Sequence, residues 1–159
     1  MLGALSRTIR TTGAIGFLAA AVVVTTLIAA PSAQSSERAV DRAFAAYDRI
    51  YAALARDSMD GVAAAAAILQ PLAREIAGEA AERAAATLAA ATTLDEARLQ
   101  FAALGEPLVP KFLEAKIPGL KGFVCTMKKA KWVQKGDAVA NPYFGRSMPT
   151  CGVPIKAGG

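Results

Sequence analysis

The sequence predicts an all-α protein, an antiparallel helical bundle closed by a non-helical C-terminal cap. Apolar residues recur at steps of three and four from Val40 onward, the signature of helices with one buried face. Alanine, the strongest helix former, is the commonest residue between those positions. Past Pro118-Gly119 the composition changes to Gly, Pro, Lys and aromatic residues, which ends the helical pattern.

The first element is a targeting segment. Arg7 and Arg10 make a positive start, Gly13 to Ala30 carries no charge, and Ala30-Pro31-Ser32-Ala33-Gln34-Ser35 supplies small residues. That order reads as a secretory signal peptide over residues 1–33, cut between Ala30 and Glu37. The apolar run is near the minimum length for a membrane helix, so an uncleaved anchor is the other reading; two Thr and two Gly dilute the run and favour cleavage. The expected product is one periplasmic or secreted domain, residues 34–159, with no membrane span once the signal is removed.

Ser35-Ser36 offers an N-cap to the first helix, with Glu37 in its first turn. Val40, Phe44, Tyr47, Tyr51 and Leu54 give its buried stripe, leaving Arg42, Asp48 and Arg49 outside. A second helix starts near Val62 and continues through Ile68, Leu69, Leu72 and Ile76, with a kink or a new first turn expected near Gln70 because of Pro71. Gly78 divides it from a weakly apolar stretch, Glu79 to Ala91, expected to bury little. Thr93 and Glu96 form a capping box before a last helix with Leu94, Ala97, Phe101, Leu104, Leu108 and Phe112 on one face. Gly105 and Pro107 predict a kink or short break in it. The remainder, residues 118–159, is the cap.

Charge is divided between these parts. Residues 37–110 hold seven Arg against eleven Asp or Glu, a net −4; from Lys111 onward nine Lys or Arg face Glu114 and Asp137, a net +7. A basic cap suits an acidic protein surface. Nucleic acid is excluded by the expected export and by the lack of a basic motif interleaved with aromatics. The chain has no His, which removes the commonest general base and metal ligand. No Cys-x-x-Cys pair or phosphate loop is present, and the acidic residues fall on exposed helix faces. The expectation is a protein that is not an enzyme.

The cap carries the most specific residues: Cys125-Thr126-Met127, Trp132, then Asn141-Pro142-Tyr143-Phe144-Gly145, Met148 and Cys151-Gly152. This pattern resembles the bacterial domain-of-unknown-function family 3347, whose hallmark is a Cys-Pro-Met step, a Trp, and Asn-Pro-Tyr-Phe-Gly followed by Met and Cys-Gly. The resemblance covers roughly residues 40–152 and is sharp only in the last third. Thr126 replaces the family's Pro, and Gln100 stands before Phe101 where the family often has His. The resemblance implies an exported domain associated with heavy-metal efflux, found also at the C-terminal end of periplasmic efflux adaptor proteins, and it makes such an adaptor a candidate partner.

The ligand chemistry agrees. Cys125, Met127, Met148 and Cys151 supply two thiolates and two thioethers, a soft set suited to Cu(I) or Ag(I). In an extended segment Cys125 and Met127 project to one side and share a metal; Met148 and Cys151, three apart in a turn, do likewise. The alternative use of the same cysteines is a Cys125–Cys151 disulfide, which closes a loop of about 25 residues and contributes on the order of 3 kcal/mol in the chain-entropy model. The protein is then a stapled helical interaction module with no metal role. Asn141-Pro142 starts a turn, Tyr143 and Phe144 cover the bundle, Gly145 permits a positive φ, and Trp132 anchors the cap. Lys128, Lys129 and Lys131 form a solvated face or dock the acidic partner.

Overall fold

A computed structural model describes residues 31–155. The expected signal segment, residues 1–33, lies outside the described residues except for its last three.

Four helices lead the chain: α1 (Pro31–Leu54), α2 (Val62–Ala77), α3 (Glu79–Ala89) and α4 (Leu94–Glu114). Helix α1 is already under way at Pro31, so Ser35 and Ser36 lie inside it and not at its cap. Phe44, Tyr47, Tyr51 and Leu54 of its stripe are buried as the spacing predicts and Val40 is half-buried; Ile50 joins the core, Arg42 and Arg49 are exposed, and Asp48, expected outside, is half-buried. The capping box of α4 forms in both directions: Thr93 accepts from the Glu96 N–H and Glu96 accepts from the Thr93 N–H.

Neither predicted interruption breaks its helix. Helix α2 runs through Pro71, and α4 runs through Gly105, Pro107 and Pro110. A proline removes the donor for the carbonyl four residues earlier. Those carbonyls belong to Ala67, Ala103 and Glu106, which are all exposed residues, so the lost donor costs less there than in a buried turn. Helix α3 buries more than its composition suggests, with Ala81, Ala84, Ala85 and Leu88 all in the core. Side chains this small let α2 and α3 approach closely.

The all-α expectation is wrong. The cap folds into a three-stranded antiparallel sheet, so the protein is a mixed helix-and-sheet fold. Strand β1 (Leu120–Cys125) pairs with β2 (Ala130–Lys135), Phe123 opposite Trp132 and Cys125 opposite Ala130; β3 (Val153–Pro154) pairs on the other side of β1, giving the order β2-β1-β3. The hairpin loop is Thr126-Met127-Lys128-Lys129, with Lys129 at φ 51°. Hairpin turns that need a positive φ usually announce themselves with Gly or Asn. Here a lysine takes that conformation, and the signal is missing.

The sheet lies on α4, and a file of aromatic rings joins the two. Phe44 meets Phe112 edge-on at 5.5 Å, Tyr47 lies 4.8 Å from Phe101, and Phe101 lies 6.1 Å from Tyr143. Tyr143 meets Trp132 edge-on at 5.9 Å, and Trp132 stacks on Phe123 at 5.4 Å. Two hydroxyls close the outer edge of β2: Tyr47 accepts from the Val133 N–H at 3.3 Å, and Tyr143 donates to the Lys131 carbonyl. Burial raises the pKa of both tyrosines, which keeps the hydroxyls protonated.

Candidate functional site

The sheet register brings the two cysteines together. Cys125 ends β1 and is fully buried, while Cys151 comes just before β3 and is half-buried. Val124 stands opposite Val153, so one further step along the ladder sets Gly152 opposite Cys125 and Cys151 beside it. The two thiols are close enough to perturb one another electrostatically, and both are free. Burial, with Cys125 next to it, pushes the Cys151 thiol above its ordinary pKa.

The loop that presents Cys151 is built around Asn141. Its side-chain oxygen accepts from the Tyr143 N–H at 2.8 Å and the Phe144 N–H at 3.3 Å, closing an Asx turn. Its amide group donates to the Cys151 carbonyl, and its own N–H donates to the Pro149 carbonyl at 2.8 Å. One buried residue thus fixes both ends of the segment from residue 141 to 151, with Pro142 buried behind it. Gly152 packs against the six-membered ring of Trp132, where an added Cβ would come within 2.4 Å of the indole Cη2. Trp132 is therefore the floor under the Cys151-Gly152 step.

A second tie holds the same loop to the helices. Gly145 has φ 53°, and a Cβ there would overlap the Asp57 carboxylate. Asp57 accepts from the Arg98 guanidinium and, at 3.1 Å, from the Arg146 N–H; Arg98 also donates to the Pro142 carbonyl at 3.0 Å and the Leu54 carbonyl at 3.1 Å. These bonds, the Arg98 side chain foremost, hold the Asp57 pKa below the usual carboxylate value. A depressed folded-state pKa contributes stability above the unfolded value, about 3.9, which is lost as pH falls through the folded value. Asp57→Asn is therefore expected to melt lower than wild type at neutral pH. The gap should narrow below about pH 4, as a thermal melting series in acid would show; a gap independent of pH would contradict the assignment.

The two methionines are placed differently. Met127 is 63% exposed at the tip of the hairpin loop, not in an extended segment with Cys125, so the expected side-by-side projection from a strand does not occur. Met148 is half-buried at the end of the short 3-10 turn Gly145–Ser147, and its carbonyl accepts from the Cys151 N–H at 3.3 Å. The residues drawn to one place are Cys125, Cys151 and the backbone of Met148. No group of three or more Cys, Asp or Glu side chains that could hold a metal ion occurs among the described residues. Lys128 of the expected basic face lies over the Phe144 ring at 5.1 Å, and Lys131 pairs with Glu106 at 3.3 Å.

Some supporting residues were not singled out from the sequence. Gln134 is fully buried, accepting from Trp132 Nε1–H at 3.0 Å and the Ala140 N–H at 3.1 Å while donating to the Ala138 carbonyl at 2.7 Å. Its place two residues after Trp132 in an alternating strand was the available signal. The Asp57–Arg98 pair, 41 residues apart, left none.

No helix among the described residues is long and apolar enough to cross a membrane. No protein-family model matches the chain, and no curated protein or solved structure matches it either.

Proposed function

We propose that this chain is an exported, non-catalytic protein that holds one Cu(I) or Ag(I) ion between Cys125 and Cys151 and passes it to a periplasmic efflux adaptor. The observation that supports this reading is the meeting of two thiols, distant in sequence, in a chain that has no His. Two thiolates suit a soft monovalent ion in two-coordinate geometry, and Met148, half-buried three residues before Cys151, is the thioether to add a third donor. Met127, exposed beyond the buried pair, is the candidate for first contact with arriving metal. The resemblance of the Cys125-to-Gly152 pattern to an efflux-associated family supplies the partner class.

A titration of reduced protein against a chromogenic Cu(I) chelator tests the proposal. Wild type should take one ion, Cys125→Ser should weaken binding more than Met127→Leu or Met148→Leu, and the double Cys→Ser variant should lose it. Binding must displace thiol protons, and the Cys151 pKa is raised, so affinity should climb with pH through and beyond neutrality. Equal, poor competition by wild type and the double variant would reject the metal reading.

The second reading is a disulfide-stapled interaction module. It is favoured by the nearness of Cys151 to the buried Cys125, since a disulfide places no charge there. A thiol count on protein taken from the periplasm separates the two. Absence of free thiols, together with failure to bind Cu(I) after reduction, supports the staple.

A further inference from the structure

The solvent face of α1 carries a row of arginines. Arg38, Arg42, Arg49 and Arg56 follow at steps of four, seven and seven, and all are exposed. Arg56 lies just past Leu54, in a turn that prolongs the helical path: Ala55 N–H donates to the Tyr51 carbonyl at 2.9 Å and Arg56 N–H to the Ala53 carbonyl at 3.0 Å. At 3.6 residues per turn the four fall within about 40° of one another and span about 27 Å. None of them makes an ion pair among the described residues, although Arg74, Arg83 and Arg98 all do.

A groove of about 370 Å³ lies beside the Arg49–Arg56 end of this row, between α1 and α2. Arg49 and Arg56 form one wall, Ala52, Ala64 and the half-exposed Ile68 give an apolar floor, and Asp60 closes one end. A single file of cations along a shallow apolar trough matches a rod with acids down one side. The geometry points to an acidic amphipathic helix of a partner protein as the occupant of this groove, with carboxylates at seven-residue spacing set against Arg42, Arg49 and Arg56. Seven residues advance a helix by about 10 Å, so acids repeating at that interval stay in step with the arginines.

A flat anionic membrane fits the surface less well. Asp41 and Asp48 flank the row on one side and Asp60 lies on the other, so a broad negative sheet would meet carboxylates as well as arginines. A helix contacts the row alone. Asp60 also sets the register, because it rejects an acid at its own end of the trough.

The inference stands apart from the thiol chemistry, and Cys125→Ser/Cys151→Ser protein should behave as wild type in its test. The probe is a labelled synthetic 21-residue helical peptide with Glu at every seventh position and Leu on the adjoining face. Its control has the same composition with the Glu positions permuted, and both are followed by fluorescence anisotropy. The regular peptide should bind at least about tenfold more tightly than the permuted one, and added salt should weaken it. Arg42→Glu/Arg49→Glu should abolish that preference while leaving helical circular dichroism intact, because both side chains are exposed. A peptide with Lys in place of Glu should then bind the double variant. Equal binding of the two peptides would overturn the inference. So would stronger retention on phosphatidylglycerol vesicles than on the regular peptide, which would assign the face to a membrane.

Discussion

Replacing Trp132 by alanine is expected to lower the unfolding free energy by about 3–5 kcal/mol, the usual cost of emptying a large aromatic from a core. Trp132 is fully buried, stacks on Phe123, meets Tyr143 edge-on, packs against Gly152 and donates to Gln134. Its removal opens a cavity under the Cys151-Gly152 step and leaves Gln134 short of one donor. Small domains hold only about 5–15 kcal/mol in total, so the loss is a large share. Urea denaturation followed by circular dichroism checks it, since the variant loses the only tryptophan. Trp132→Phe keeps a ring and should cost less. A loss below about 1 kcal/mol for the alanine variant would mean that the sheet is not packed as described.

The second large effect comes with a reversed sign. Gly105→Ala lies inside α4, where alanine is ordinarily better than glycine by about 1 kcal/mol. Here a Cβ would come within 2.6 Å of the Lys131 carbonyl oxygen, a backbone atom of β2 that cannot swing aside. The helix and the strand must separate, and that displaces the carbonyl from the Tyr143 hydroxyl. Overpacking of this kind costs about 1–3 kcal/mol, so the variant should be destabilised by roughly 2 kcal/mol despite its better helix propensity. Gly78→Ala, where an added Cβ meets nothing within 4 Å, is a control for φ strain alone. A Gly105→Ala protein as stable as wild type would contradict the contact.

The helical half of the fold was legible because each helix has its own local signal. Phe44, Tyr47 and Tyr51 mark one face of α1, and the Thr93/Glu96 box marks the start of α4. Proline was over-read as a breaker at Pro71 and Pro107: the carbonyls that lose a donor there belong to the exposed Ala67 and Ala103, where solvent is at hand. The sheet was missed for the opposite reason, since its decisive features are not local. Lys129 supplies the turn conformation without a turn residue, and β3 is two residues long and exists only by pairing with β1. The cysteines stand out in the sequence by residue type alone. Their meeting depends on that unseen β1–β3 pairing, and the strand projection expected for Met127 was lost to the same hairpin.

The two tyrosine hydroxyls on β2 have a consequence for how the chain acquires its shape. An unpaired strand edge is a template for pairing with other chains. Tyr47 and Val133 are 86 residues apart, so the protection at that bond cannot arise from the hairpin itself. During synthesis α1 emerges early and β2 late. Until the late segment docks on the early one, β2 presents a vacant Val133 N–H, and Trp132 and Val133 lack their cover. Closure across such a separation is slow compared with local helix formation. The interval between hairpin synthesis and docking is thus the period of greatest aggregation risk, and it is set by the search between Tyr47 and β2.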